Sequence, residues 1–142
     1  MSEKSKIEFT PEMGQMLVVN TALEPLGAEV TSVNHDEAII TMPITNAARQ
    51  PMGLLHGGIS LLLAESVASL HAAFLVDLSE KRPVGIEVSG SHLNSAREGH
   101  IKAVGKVLRQ SRSLVVHEVN VYHVESDKHL CSARVTNFYK QV

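Results

Sequence analysis

The chain has 142 residues, 44% hydrophobic and 20% charged, with 13 Lys and Arg against 15 Asp and Glu for a formal net charge of −2. That length suits one domain, residues 1–142, and the near-neutral balance argues against a nucleic acid or an anionic membrane as partner. A single cysteine, Cys131, excludes an intrachain disulfide framework, and the opening Met1-Ser2-Glu3-Lys4-Ser5-Lys6 lacks the apolar core of a signal peptide, so a reducing cytoplasm is the expected location.

Thr10-Pro11-Glu12 marks a helix start, with a capping hydroxyl, proline at the first helical position and an acid in the first turn; a short helix over about 10–20 is predicted. Two strand-like runs follow, 28–34 and 38–44, separated by Asn34-His35-Asp36-Glu37 and read as a hairpin. Residues 46–55 form a loop leading to a long apolar helix over about 57–76. That helix is the one membrane-span candidate, and it is rejected: Glu65 would be costly at mid-span and no basic cluster flanks it. It reads instead as a helix covered on all sides by protein.

Four further strands are predicted, at 84–93, 100–108, 113–124 and 129–139, with hairpin-length turns at 96–99, 109–112 and 126–128. The fold class is therefore α+β, an antiparallel sheet wrapped around one long central helix. Ile101, Ala103, Gly105 and Val107 share the strand face predicted to meet the helix. Valines on both faces of 114–124 suggest a second covered face and a subunit interface. His117, His123 and His129 are placed on strand surfaces or turns, and Cys131 in the core.

An acid within Ser60-Leu61-Leu62-Leu63-Ala64-Glu65-Ser66-Val67-Ala68 needs a reason, because ionised groups are costly to bury. A desolvated carboxylate is a stronger base and a more available nucleophile. Helical periodicity puts Gly58, Leu62, Glu65 and Ser69 on one stripe, so Ser69 could orient a water or Glu65 itself. At the helix start, the unpartnered N–H groups of Gly57 and Gly58 suit a developing oxyanion, and glycine allows close approach. His56 and Gln50 could position a carbonyl or a water. Each residue also has an ordinary use: Glu65 as a structural acid at a dimer interface, the glycines as turn residues, His56 in packing.

Other chemistries lack their signals. Gly58-Ile59-Ser60 has no second glycine of a nucleophile elbow, and neither a dinucleotide-binding glycine motif nor a phosphate-binding loop occurs. The eight histidines contain no H-E-x-x-H pattern, so no metal site is expected.

The runs Gln50-Pro51-Met52-Gly53-Leu54-Leu55-His56-Gly57-Gly58, Leu63-Ala64-Glu65-Ser66, Val84-Gly85-Ile86-Glu87 and Ser95-Ala96-Arg97-Glu98-Gly99 together resemble the hotdog-fold acyl-CoA thioesterases. The likeness is to a bacterial branch that includes 1,4-dihydroxy-2-naphthoyl-CoA hydrolase of menaquinone synthesis and the enterobactin proofreading thioesterase. The resemblance implies a homodimer with a continuous sheet and shared active sites, commonly a homotetramer. It makes Glu65 the nucleophile or general base, with Gly57 N–H polarising the thioester carbonyl, His56 and Gln50 positioning it, and Ser69 assisting water. The CoA arm would follow Gly85, then His92, Leu93, Asn94 and Ser95, and the hairpin Arg109, Gln110, Ser111, Arg112, Ser113, Leu114. Arg97, Lys102, Lys106, Arg109 and Arg112 are read as a basic cluster in support. The expected activity is hydrolysis of an aroyl-CoA, with 1,4-dihydroxy-2-naphthoyl-CoA the leading candidate, and no cofactor beyond the CoA of the substrate. Hydrolysis of carrier-protein or fatty acyl-CoA thioesters, and non-catalytic acyl-CoA binding, are the alternatives.

Overall fold

A computed structural model describes residues 8–142; the opening segment 1–6 considered above lies outside the described residues. Thr10 starts the first helix: its Oγ1 accepts the Met13 N–H at 3.3 Å, and α1 spans Pro11–Val18. It ends before 20 because Asn20 adopts a φ of 59° and the chain turns. The strands β1 (Glu29–Val33) and β2 (Ala38–Pro43) form the expected antiparallel hairpin. Asn34 closes it, with Oδ1 accepting the N–H groups of Asp36 and Glu37 at 2.9 and 3.0 Å.

The central helix, α2, spans Gly57–Phe74 and stops short of 76, where the Leu75 N–H bonds back to the His71 carbonyl. Its buried residues are Ser60, Leu63, Ala64, Val67, Ala68, His71 and Ala72, a stripe at helical spacing. Protein does not cover it on all sides as expected. Gly58 and Glu65 are exposed, and Leu62, Ser66 and Ser69 are half-buried. The helix is long and apolar enough to cross a membrane by length and composition, but its fully buried stripe faces the sheet.

That sheet continues with β3 (Lys81–His92), β4 (His100–Gln110), β5 (Leu114–His123) and β6 (His129–Gln141), in the order β1-β2-β4-β5-β6-β3, every pair antiparallel. Strands β2 to β6 all pack on α2. One predicted connection is corrected: 96–99 is not a hairpin turn, since β5 and β6 lie between β3 and β4. Residues 93–99 cross the end of the curled sheet instead, held by bonds from Leu93 N–H to the Leu130 carbonyl and from Ile44 N–H to the Gly99 carbonyl, both 2.8 Å. Those few residues can reach about 25 Å when extended, more than the ~14 Å across three strand spacings. The β4 face is as predicted: Ile101, Ala103 and Gly105 are buried, and a Cβ on Gly105 would stand 3.3 Å from Val67 of α2. Strand β3 is left as a long edge, with Val84 and Ile86 exposed.

His117 is a second correction, for it is wholly buried rather than on the surface. It shares the inward face of β5 with Val115, Val119 and Val121, and its Nε2 lies 2.9 Å from His71 Nδ1. His71 Nε2 lies 2.9 Å from the Asn34 carbonyl, which can only accept. The neutral His71 ring therefore carries its proton on Nε2, and its bare Nδ1 accepts from His117 Nε2–H. Burial pushes His117 down to about 4, helped by the nearby His71, and burial also lowers His71. Both imidazoles are thus held neutral inside the fold but take up a proton near 6.5 in the unfolded chain. Their contribution to stability is complete above that value and is lost as pH falls toward 4. Unfolding in urea should therefore show stability falling between pH 6.5 and 5, above the carboxylate range, with His117 alone contributing about 3 kcal/mol by the end of its window. His117→Leu should flatten that slope; a flat parental profile would contradict the assignment.

Candidate active site

At the amino end of α2 the loop organises itself around Gln50. Its Oε1 accepts the N–H groups of Met52 and Leu54 at 2.5 and 3.3 Å, and its backbone N–H bonds the Leu54 carbonyl at 2.8 Å. The amide nitrogen is thereby the end left to donate. His56 caps the helix, its Nδ1 accepting the Gly58 N–H at 2.8 Å. A neutral ring that accepts at Nδ1 carries its proton on Nε2, so His56 presents an outward donor. Ile59 N–H bonds the His56 carbonyl at 3.0 Å. Among the described residues no hydrogen bond uses the Gly57 N–H, which is left at the positive end of the helix.

His92, at the end of β3, packs over this donor. A Cβ on Gly57 would lie 2.5 Å from His92 Nε2, so a side chain there would push the imidazole aside. His56, Gly57 and His92 are therefore brought together, with Gln50 in the loop that leads to them and Leu93, Asn94 and Ser95 following His92 directly in the chain. Asn94 is tied down, its Nδ2 donating to the His129 carbonyl at 2.8 Å.

Glu65 and Ser69 lie elsewhere. Eight residues of helix separate Gly57 from Glu65, a rise of ~12 Å, too far for both to act on one carbonyl. The Glu65 carboxylate rests against Gly85 of β3, where a Cβ would lie 2.5 Å from Oε1. Gly85 is opposite Asn137 of β6, and the Asn137 Oδ1 accepts the Ser69 hydroxyl at 2.9 Å. The sequence reading missed Asn137. It is fully buried, and among the described residues its Nδ2 has no partner. It alternates with Ala133, Val135 and Tyr139 on the inward face of β6, and a polar residue in that apolar register was the available signal.

The hairpin Arg109, Gln110, Ser111, Arg112, Ser113, Leu114 belongs to the Glu65 side, since Val115 pairs with Asn137. All six residues are exposed. The turn is fastened by Ser111 N–H to the Leu114 carbonyl at 2.7 Å and by Lys81 Nζ to the Arg112 carbonyl at 3.0 Å. Gln110 donates to the Tyr139 hydroxyl at 3.2 Å, which in turn donates to the Ala72 carbonyl. Among the described residues neither Arg109 nor Arg112 is in a salt bridge. The five-residue basic cluster expected from sequence does not form as one patch. Arg97 donates to the Met52 carbonyl beside the Gln50 loop, Lys106 pairs with Glu37 at 3.7 Å, and Lys102 lies over the Tyr122 ring.

One chain thus carries two separate polar groupings: donors around Gly57, and an acid with a hydroxyl around Gly85. Known proteins resemble this chain in sequence and fold. The family model described as the thioesterase superfamily matches residues 52–129, which include the helix start, Glu65 and β3 to β5. The chain belongs to that superfamily. It is 38% identical over 104 residues to the 1,4-dihydroxy-2-naphthoyl-CoA hydrolase of Escherichia coli, covering 73% of this chain and 75% of the relative. It is 35% identical over 131 residues to a proofreading thioesterase, EntH, of Cronobacter turicensis, covering 92% and 94%. A solved thioesterase from Haemophilus influenzae superposes with a TM-score of 0.89 at 31% identity, covering 96% of this chain and 94% of that one. The α+β fold is accordingly the hotdog fold, and the chain is a thioester hydrolase.

A side chain at position 85 would displace the far end of Glu65, a flexible group, rather than the backbone. Gly85→Ala should therefore leave the melting temperature within a few degrees while slowing thioester hydrolysis by about tenfold or more, because small misplacements of a reacting group are costly. Parental turnover in this variant would show that the carboxylate does not need its place against β3.

Proposed function

We propose that the enzyme hydrolyses an acyl-CoA thioester to a free acid and CoA in a site completed by a second copy of the chain. The observation that carries this reading is the pair of half-sites joined by one unpaired strand edge. Gly85 and His92 mark them, ~23 Å apart along β3. Antiparallel pairing of β3 with its copy about a two-fold axis between Val88 and Ser89 would set Gly85 opposite His92 of the second copy. Glu65 of one chain would then face Gly57, His56 and Gln50 of the other. The same pairing would cover a long edge that otherwise invites aggregation.

In that site the Gly57 N–H, the His56 Nε2–H and the Gln50 amide draw charge onto the carbonyl oxygen. By one route Glu65 takes a proton from water as the water oxygen bonds to the acyl carbon; the C–S bond then breaks, and the thiolate recovers that proton. By the other, a Glu65 oxygen bonds to the acyl carbon and expels the thiolate, and water hydrolyses the resulting anhydride. Both need only side chains and water, with CoA as part of the substrate and no metal or redox cofactor. Arg109 and Arg112 would meet CoA phosphates, with the arm passing Gly85 and the residues His92, Leu93, Asn94 and Ser95.

An aroyl-CoA is the favoured substrate, with 1,4-dihydroxy-2-naphthoyl-CoA first on the strength of the Escherichia coli relative. That activity would serve menaquinone synthesis in the cytoplasm. Carrier-protein thioesters are the second reading. Outward-facing Leu114 and Phe138, paired across β5 and β6 and both exposed, with Leu108 nearby on β4, offer a further apolar face for a homotetramer.

Turnover of a panel of aroyl-CoA, fatty acyl-CoA and carrier-bound thioesters should be highest for aroyl-CoA; preference for carrier-bound esters would favour the second reading. Glu65→Gln should cost about a thousandfold or more in kcat. Glu65→Gln and His56→Ala, each inactive alone, should regain about a quarter of parental activity when unfolded and refolded together. Half of the dimers are then mixed, and each mixed dimer has one intact site. No recovery, with mixed dimers present, would rule out the shared site.

A further inference from the structure

We propose that Asn137 is a positioning residue for hydrolysis: its Oδ1 takes the single hydroxyl proton of Ser69, so that Ser69 can meet the attacking water only as an acceptor. The inference rests on the assignment of Glu65 as the catalytic carboxylate. A serine hydroxyl has one proton and two lone pairs, and here the proton is committed, with Ser69 Oγ donating to Asn137 Oδ1 at 2.9 Å. Ser69 lies one turn beyond Glu65 on α2. Asn137 stands directly opposite Gly85, and the Glu65 carboxylate lies against Gly85. Glu65, Ser69 and Asn137 therefore form one polar row between α2 and the β3–β6 pair.

A water in that row gives one hydrogen to Glu65 and the other to Ser69 Oγ, which leaves its lone pair for the acyl carbon. If Ser69 kept its proton free, it would donate it to the water or to Glu65. Either bond ties up the electrons that the reaction needs. Asn137 removes that option.

The rest of Asn137 fits a functional use better than a structural one. It is fully buried, and among the described residues its Nδ2 has no hydrogen-bond partner, an arrangement that lowers stability. An apolar residue of similar size would remove that cost, so fold stability alone does not call for asparagine there.

The test uses the full-length enzyme with benzoyl-CoA as probe and the variants Asn137→Leu, Ser69→Ala, their combination, and Asn137→Asp. Asn137→Leu should melt no lower than the parent, with kcat down about tenfold and KM changed less than threefold, since orientation and not binding is lost. Adding it to Ser69→Ala should cost nothing more, because Asn137 acts through that hydroxyl. Asn137→Asp keeps an oxygen facing Ser69; it should recover kcat above that of Asn137→Leu, with the acid limb of the pH–kcat profile moved upward by a second carboxylate beside Glu65. Parental kcat in Asn137→Leu, losses that multiply in the double variant, or Asn137→Asp as slow as Asn137→Leu at every pH would each overturn the assignment while leaving acyl-CoA hydrolysis intact. Should Asn137→Leu not fold, the Asn137→Asp profile decides alone. A parent without turnover would defeat the acyl-CoA reading and this one with it.

Discussion

Eight residues of α-helix separate the Gly57 N–H from Glu65, and that fixed rise of ~12 Å governs how the molecule can work. A donor that polarises a carbonyl and an acid that attacks it must both stand within about 3 Å of reacting atoms. One rigid helix cannot place both on the same substrate. A glycine stands at each end of the arrangement: Gly57 leaves room for His92, and Gly85 leaves room for Glu65. In the proposed dimer the same helix serves two sites, giving its amino end to one and its acid to the other.

The open face of α2 follows from that division. A six-stranded sheet could bury more of an apolar helix, yet β3 stays an edge and the Glu65 stripe stays uncovered. The buried stripe carries polar groups of its own, and their roles differ. His71 and His117 hold the hairpin carbonyl of Asn34 to the core through a directed chain of protons, at the cost of acid sensitivity. Ser69 and Asn137 instead border the uncovered stripe, where one half of the amide is left unpaired.

Much of this was legible in the residues. Thr10, Pro11 and the apolar run from Gly57 marked both helices, and alternation marked six strands to within a few residues. The register of Ile101, Ala103 and Gly105 gave the inward face of β4. Strand order was not legible, because a short connection at 96–99 reads alike whether it turns back or crosses the end of a curled sheet. Glu65 was read as enclosed because apolar neighbours on every side of a helix look the same whether one chain covers them or two. His117 and Asn137 were missed for another reason: each sits in phase with buried valines, but His117 was assigned outward as a polar residue type and Asn137 was passed over within its strand. Family resemblance supplied the pairing of half-sites that a single chain does not display.

In the proposed arrangement one chain alone holds no complete site. Specific activity toward an aroyl-CoA, measured over a dilution series alongside sedimentation of the same samples, tests it directly. Activity per chain should fall in step with the dimer fraction and vanish in the monomer. Full activity in samples that sediment as monomer would contradict it.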